Sequence, residues 1–222
     1  MRARAGAVRA ARPRTYLKAE DRRAQILGVA KHLFARRGYR VANVADICQA
    51  AHIGRGTLYQ YFANKRAVLL ALMEDLQARI ERVLRARPKL DEVPGGARVP
   101  VELIVRFCRK RLREVLDAVF VDEPTFRLIL RDARGLDGAV DQIIGLIDNL
   151  VLQALETDLQ AAQAAGILRA GDCRRMARYL IGGTEKLVLD ALAQDAPIDL
   201  DTIVTEVVDL ELFGILSKEV AR

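Results

Sequence analysis

The stretch that decides the fold is residues 44–62, which read VADICQAAHIGRGTLYQYF. Apolar residues recur at helical spacing on both sides of His52-Ile53-Gly54, and this pattern predicts two short helices joined by a three-residue turn. The residues predicted to form the small core between them are Val44, Ile47, Ala51, Ile53, Leu58 and Phe62. Since many helical proteins contain short helix pairs, a buried helical hairpin is the alternative interpretation.

The segments that flank this stretch are also predicted to be helical. A helix from Glu20 is expected to end at Gly38 in the left-handed conformation. Asn43 is expected to cap the following helix, with Asp46 completing a capping box. Lys65 is predicted to begin a long fourth helix. The apolar face of the first helix comprises Ile26, Leu27, Ala30, Leu33 and Phe34.

Charge is distributed unevenly along the 222 residues. Lys and Arg number 36 against 29 Asp and Glu, a net charge of +7. Residues 1–66 hold 15 basic and 3 acidic side chains, a charge of +12, whereas residues 67–222 carry −5. This split favours one part that binds nucleic acid and another with a different task.

The second helix of the pair has side chains suited to DNA. In helix-turn-helix proteins this helix enters the major groove, where guanidinium and amide groups read base edges and hydroxyls contact phosphates. Gly56 permits close backbone approach, and Lys65 supplies a charge and main-chain donors for a phosphate. The outward-facing candidates are Arg55, Thr57, Tyr59, Gln60 and Tyr61.

Several runs resemble the N-terminal domain of the TetR/AcrR family. They are residues 23–27, 33–34, 38–39, 44–47, 56–62 and 64–65. The resemblance implies a homodimeric bacterial transcription regulator, usually a repressor released by a small ligand. By this resemblance, Thr57, Tyr59 and Gln60 read the groove. Those expected to contact groove or phosphate are Arg55, Tyr61 and Lys65, and Asn43 stands where a capping, phosphate-binding threonine is usual.

The chain departs from the family pattern before the recognition helix. His52 replaces a turn glycine, and the left-handed conformation expected there costs His more than Gly. Gly54 replaces the serine that usually caps the recognition helix, so we expect a weaker start to that helix. Ala42-Asn43 replaces a pair of threonines. These changes concern contacts before the recognition helix.

The whole chain is predicted to be all-α. Residues 1–18 form a basic arm that either reaches DNA or is only a solvated tail, and residues 19–66 form a three-helix DNA-binding domain. Residues 67–222 form a larger helical domain for ligand binding and dimerisation, with a Pro- and Gly-containing loop at residues 88–100. Its later helices are predicted over residues 101–120, 126–131, 140–165, 174–193 and 200–216.

The last two helices are the expected dimer interface. The helix over residues 200–216 is apolar over a wide arc, and Gly182-Gly183 would allow close backbone approach in the helix before it. By resemblance, these two helices pair with those of a second subunit. An ordinary pair of core helices is the alternative. A two-fold dimer would place its recognition helices about 34–36 Å apart on a palindromic operator.

The ligand-binding candidates are polar residues embedded in apolar patterns. They are Arg106, Arg131, Asn149, Gln153, Tyr179 and Glu185. For each of them, a solvated helix face or a satisfied core group is the alternative interpretation. The ligand itself is not specified by the sequence.

Catalysis, metal binding and cofactors are not predicted. Cys48, Cys108 and Cys173 lack metal-site spacing and suit a reducing cytosol. His32 and His52 are the only histidines and have no partner at a metal-ligand or triad spacing. No uninterrupted apolar run approaches the ~18–20 residues of a membrane span, so we expect a cytoplasmic protein.

Three functions remain open from the residues alone. A ligand-responsive DNA-binding repressor accounts for most features, and a DNA-binding architectural protein of the same fold without an inducer is the alternative. A helical enzyme with an incidental basic N-terminus is the third, and no phosphate loop or acid–base pair supports it.

Overall fold

The computed structural model describes residues 18–86, 99–129, 133–136, 138–194 and 198–214. Over these ranges the chain forms nine α-helices and no strand, which confirms the all-α prediction. The helices are α1 Ala19–Arg37, α2 Val44–Ala50, α3 Arg55–Tyr61, α4 Lys65–Ala86, α5 Val101–Phe120, α6 Glu123–Leu128, α7 Gly138–Ala164, α8 Cys173–Ala193 and α9 Leu200–Phe213. The predicted arm (except Lys18), most of the predicted loop and Arg131 lie outside the described residues.

The helix bounds agree closely with the predicted ones except in α6 and α9. α6 ends at Leu128, and residues 130–131 of the predicted helix lie outside the described residues. α6 begins at Glu123, three residues before the expected start, and Pro124 occupies its first turn, where no intrahelical N–H bond is lost. α9 ends at Phe213, where Gly214 adopts a φ of 72°, and residues 215–216 of the predicted helix lie outside the described residues. Asp199 caps α9 by accepting hydrogen bonds from the N–H groups of Asp201 and Thr202.

The N-terminal domain has a filled core built from α1, α2, α3 and the start of α4. Phe34 contacts Tyr39 edge to face, with their ring centroids 5.3 Å apart. Gly38 ends α1 with a φ of 81°, in the positive region where glycine is favoured. The side chains with 0% exposure in this core include Ile26, Ala30, Phe34, Ile47, Leu58, Val68 and Leu69.

The long helix α4 joins this domain to the C-terminal body. Its first turns pack in the N-terminal core, whereas Leu76 and Ile80 are buried among residues of the body. α4 also packs against α5 and α7, and α1 packs against α6. The two parts therefore share one continuous apolar core instead of being joined only by a linker.

The body consists of α5 to α9 packed around the second half of α4. α5 packs against α9, and α7 packs against α4 and α8. By length and composition alone, α7 is apolar enough to cross a membrane, a property shared by core helices of soluble proteins. In this structure α7 packs against α4 and α8 as one of the helices of the body.

Candidate DNA-binding helix and ligand cavity

Helix α3 presents the polar face that the sequence predicts. Leu58 is fully buried beneath it, and Phe62 ends the helix with its ring in the core. Tyr59 is 53% exposed on the opposite side. The other DNA-binding candidates are placed as follows: Arg55, Gly56 and Gln60 are exposed, and Thr57 and Tyr61 are half-buried.

The segment before α3 shows the expected capping and the expected departures. The Asn43 side chain accepts from the Asp46 N–H, and the Asp46 carboxylate accepts from the Asn43 N–H, both at 3.0 Å. His52 has a φ of 53°, so the predicted left-handed turn is present. Gly54 provides no side-chain hydrogen bond to α3. The recognition helix therefore begins without a side-chain cap.

Lys65 has a different environment from the one predicted. Its ammonium donates to the carbonyl oxygens of Tyr39 and Ala42, each at 2.7 Å, and lies 4.3 Å from the Tyr39 ring centroid. Burial lowers the pKa of this ammonium. Lys65 thus fixes the α1–α2 connection against the start of α4. A phosphate contact by Lys65 stays a prediction.

A cavity of about 640 Å³ lies within the C-terminal body. Its walls come from helices α4 to α9 and are predominantly aliphatic and aromatic. Such a space suits a small ligand with a large apolar part. Representative lining residues are Leu76, Ile80, Phe107, Val115, Phe126, Ile147, Val151, Leu159 and Leu180.

The structure brings two of the six predicted ligand residues to this cavity. Arg106 and Glu185 line it. Asn149 and Gln153 lie exposed on one face of α7, and Tyr179 is 80% exposed on α8, so none of these three reaches the cavity. α7 is apolar around much of its circumference, and for that reason its periodicity did not distinguish the face towards the cavity. Arg131 lies outside the described residues.

Several polar cavity residues were not predicted. Arg111 of α5 forms an ion pair with Asp158 of α7, and both side chains are largely buried. Burial raises the pKa of the Cys108 thiol to about 11. Burial also raises the pKa of the Glu211 carboxyl to about 7, although a hydrogen bond with Thr184 acts in the opposite direction. For Glu211 a sequence signal existed, since it follows Val204, Val207 and Val208 at helical spacing.

A buried carboxylate connects the cavity-bearing body to the N-terminal domain. Asp122, only 4% exposed, lies between α5 and α6. Its carboxylate is 3.0 Å from the Lys31 ammonium of α1 and 3.6 Å from the Arg79 guanidinium of α4. Val119 and Phe126, on either side of Asp122, line the cavity. The ion cluster and its neighbours therefore contact both the N-terminal domain, through Lys31, and the cavity of the body, through Val119 and Phe126.

These features define a helix-turn-helix protein with a helical, cavity-bearing body. Residues 26–72 match the family model described as bacterial regulatory proteins, tetR family. The N-terminal DNA-binding domain of the chain is thus similar to that of TetR-family regulators. It is 33% identical over 116 residues to the HTH-type transcriptional regulator TtgR of Pseudomonas putida, a match covering 52% of this chain and 50% of TtgR. The chain thus spans about half the length of that relative.

Solved structures share the fold of nearly the whole chain. The regulator FadR from Bacillus subtilis, in complex with stearoyl-CoA, covers 87% of this chain and 99% of its own, with 21% identity and a TM-score of 0.68. AibR, in complex with isovaleryl coenzyme A and operator DNA, covers 88% of this chain and 100% of its own, with 20% identity and a TM-score of 0.64. At these identities the likeness concerns the fold.

Proposed function

We propose that this chain is a sequence-specific transcription regulator that acts in the cytoplasm as a homodimeric repressor. In this proposal the dimer binds a palindromic operator through α3 and is released when a small, largely apolar ligand fills the cavity. The observation that carries the proposal is the direct connection between the two regions: the cavity wall adjoins Asp122, whose carboxylate pairs with α1 of the DNA-binding domain.

The exposed face of α3 supports DNA reading. Arg55 and Gln60 offer donors that suit guanine and adenine edges, and Tyr59 offers an aromatic face for sugars or thymine methyl groups. These side chains stand on a helix whose inner face is anchored by fully buried Leu58. Their exposure and rigid support favour binding to a major groove over a role in the protein core.

The outer surface of α8 and α9 supports pairing with a second copy. Large apolar side chains are exposed on this surface, and such a cluster is unusual on helices that face only solvent. They are Tyr179, Leu187, Leu210 and Phe213. Gly182 and Gly183 are exposed on α8, and nothing lies within 4 Å of a β-carbon placed on either one. A partner helix could therefore approach α8 closely. The homodimer is part of the proposal.

Control by a ligand follows from the placement of the cavity. Filling it would move α5 and α6 relative to α4, and the Asp122 cluster would transmit that movement to α1. Release requires the ligand to bind better to the arrangement whose recognition helices no longer match the operator. The structural neighbours support control by a bound molecule, since FadR was solved in complex with stearoyl-CoA and AibR with isovaleryl coenzyme A, and the acyl chains of both ligands are apolar.

The proposal is tested by selecting genomic fragments with the full-length protein and footprinting the bound DNA. We expect two symmetric half-sites whose centres are about 10 base pairs, or a multiple of that, apart. Affinity should fall steeply with salt, because phosphate contacts release counterions. Protection of a single asymmetric site by a monomer would contradict the proposal, as would binding with no sequence preference.

A further inference from the structure

A polar cluster interrupts the apolar wall of the cavity where α5, α8 and α9 meet. Cys108, Thr184 and Glu211 each line the cavity from one of these helices. Arg111 and Asp158 lie in the same wall and pair with each other. Since the charge of Arg111 is matched by Asp158, an ionised Glu211 leaves this cluster with one excess negative charge.

Glu211 lines the cavity from α9, near the end of the helix, and its side chain is exposed to solvent. It follows Val204, Val207 and Val208 by seven, four and three residues, and all three valines are buried in the body. Residues at these spacings share one helix face. Within the described parts of the chain, Glu211 has Thr184 as a hydrogen-bond partner and forms no ion pair.

We propose that the cavity selects apolar molecules that carry a positive charge, with the cation placed against Glu211 and Thr184. The apolar part of such a molecule would lie along Phe107 and Val115, which line the same space. The Glu211 carboxylate is solvent-accessible at the cavity wall and forms no ion pair within the described residues, so a cation in the cavity would be attracted to it, and more strongly once the apolar part of the ligand has displaced water. This inference rests on the proposed function, because it takes the cavity to be the ligand site.

The cluster also makes cation binding depend on pH. Burial raises the pKa of Glu211 to about 7, so the carboxylate needed for a cation is mostly absent at pH 6 and mostly present at pH 8. Cys108, with a pKa of about 11, stays protonated throughout this window. Arg106 is exposed at the cavity rim. The other charged groups that line the cavity are paired: Arg111 with Asp158, Lys110 with Glu114, and Arg134 with Asp148 and Glu185. Arg109, also on α5, pairs with Asp209 of α9.

Calorimetric titration of the full-length protein with three ten-carbon probes tests the proposal. The probes are decyltrimethylammonium, decanol and decanoate, each below its micelle concentration. We expect the cation to bind roughly tenfold more tightly than decanol and decanoate at pH 8, about 1.4 kcal/mol. Its affinity should fall roughly tenfold from pH 8 to pH 6, whereas that of decanol should stay constant.

Two matched variants test whether Glu211 is the residue responsible for the preference for a cation. Glu211→Gln should remove the cation preference and its pH dependence while leaving decanol binding intact. Glu206→Gln, on the same helix but outside the cavity lining, should leave all three affinities unchanged. If Glu211→Gln does not fold, the pH dependence of cation binding to the wild-type protein tests the proposal: a cation affinity equal at pH 6 and pH 8 would overturn it.

Each remaining outcome has a distinct meaning. Equal affinity for cation and decanol, or tighter binding of decanoate at Arg106, would overturn this inference and leave the proposed function standing. Failure of all three probes to bind would overturn both, because the cavity would then not be a ligand site.

Discussion

The N-terminal domain and the C-terminal body are both helical but differ in how their interiors are filled. In the N-terminal domain, Phe34, Ile47 and Leu58 occupy the centre with no exposure at all. In the body, apolar side chains of α4 to α9 surround a cavity of about 640 Å³. A filled core holds the DNA-binding face in one shape, whereas a hollow core leaves room for a ligand to change the packing.

The largest expected effect is on the free energy of unfolding, when a phenylalanine is removed from the filled N-terminal core or from the cavity wall of the body. Phe34→Ala should reduce the free energy of unfolding by about 3–5 kcal/mol, because it opens a new cavity in close-packed surroundings. Phe107→Ala should cost only about 1 kcal/mol, since Phe107 is half-buried and already borders empty space. Urea unfolding of both variants measures the difference. Equal losses would contradict the contrast between the two regions.

Removal of the polar face of α3 should affect DNA binding and not folding. The double variant Tyr59→Ala, Gln60→Ala should weaken operator binding by about 1–3 kcal/mol, roughly 5- to 150-fold, because base-edge and sugar contacts are lost. Its melting temperature should match that of the wild type, as both side chains are exposed. Arg169→Ala, on the surface of the body, is the control and should bind DNA normally. A normal affinity in the double variant would exclude α3 as the reading helix.

The connection between the two regions is tested at Asp122. Asp122→Asn should cost about 1–2 kcal/mol of stability, because it removes a buried negative charge that pairs with Lys31 and Arg79. DNA affinity without ligand should be retained, while release of DNA by a cavity-binding probe should be weakened. The matched variant Asp117→Asn loses only a partly exposed pair with Arg113, outside the cavity lining, and should change both properties little. Unaltered release in Asp122→Asn would show that the coupling lies elsewhere.

The smallest effects concern the caps of the two short helices. Asn43→Ala should cost about 1 kcal/mol, since the capping box at α2 is complete. Gly54→Ser should gain only a few tenths of a kcal/mol by giving α3 a side-chain cap. Thermal unfolding measures both changes. A neutral Asn43→Ala would mean that the box does not stabilise the folded protein.

The same contrast explains what could be predicted from the sequence. Helical periodicity identified the buried side of α3 and the capping role of Asn43 because both depend on local spacing. It could not identify the cavity, since an apolar residue facing a void has the same pattern as one facing another side chain. Tyr179 and Glu211 show the consequence: the first was predicted to bind ligand and is exposed, whereas the second lines the cavity and was missed.

Long-range contacts were also beyond the sequence pattern. Lys65 follows the recognition helix in sequence, yet its ammonium binds carbonyl oxygens more than twenty residues earlier. Asp122 similarly depends on Lys31 and Arg79, which come from two other helices. Neither partnership follows from residue spacing along a single helix.

The central claim is that occupation of the cavity controls DNA binding by α3. It is tested most directly by fluorescence anisotropy of a footprinted operator fragment bound to the full-length protein, titrated with decanol while calorimetry records decanol binding. We predict that the operator is released over the concentration range in which decanol fills the body. Saturation of the cavity with no change in operator affinity would contradict the claim.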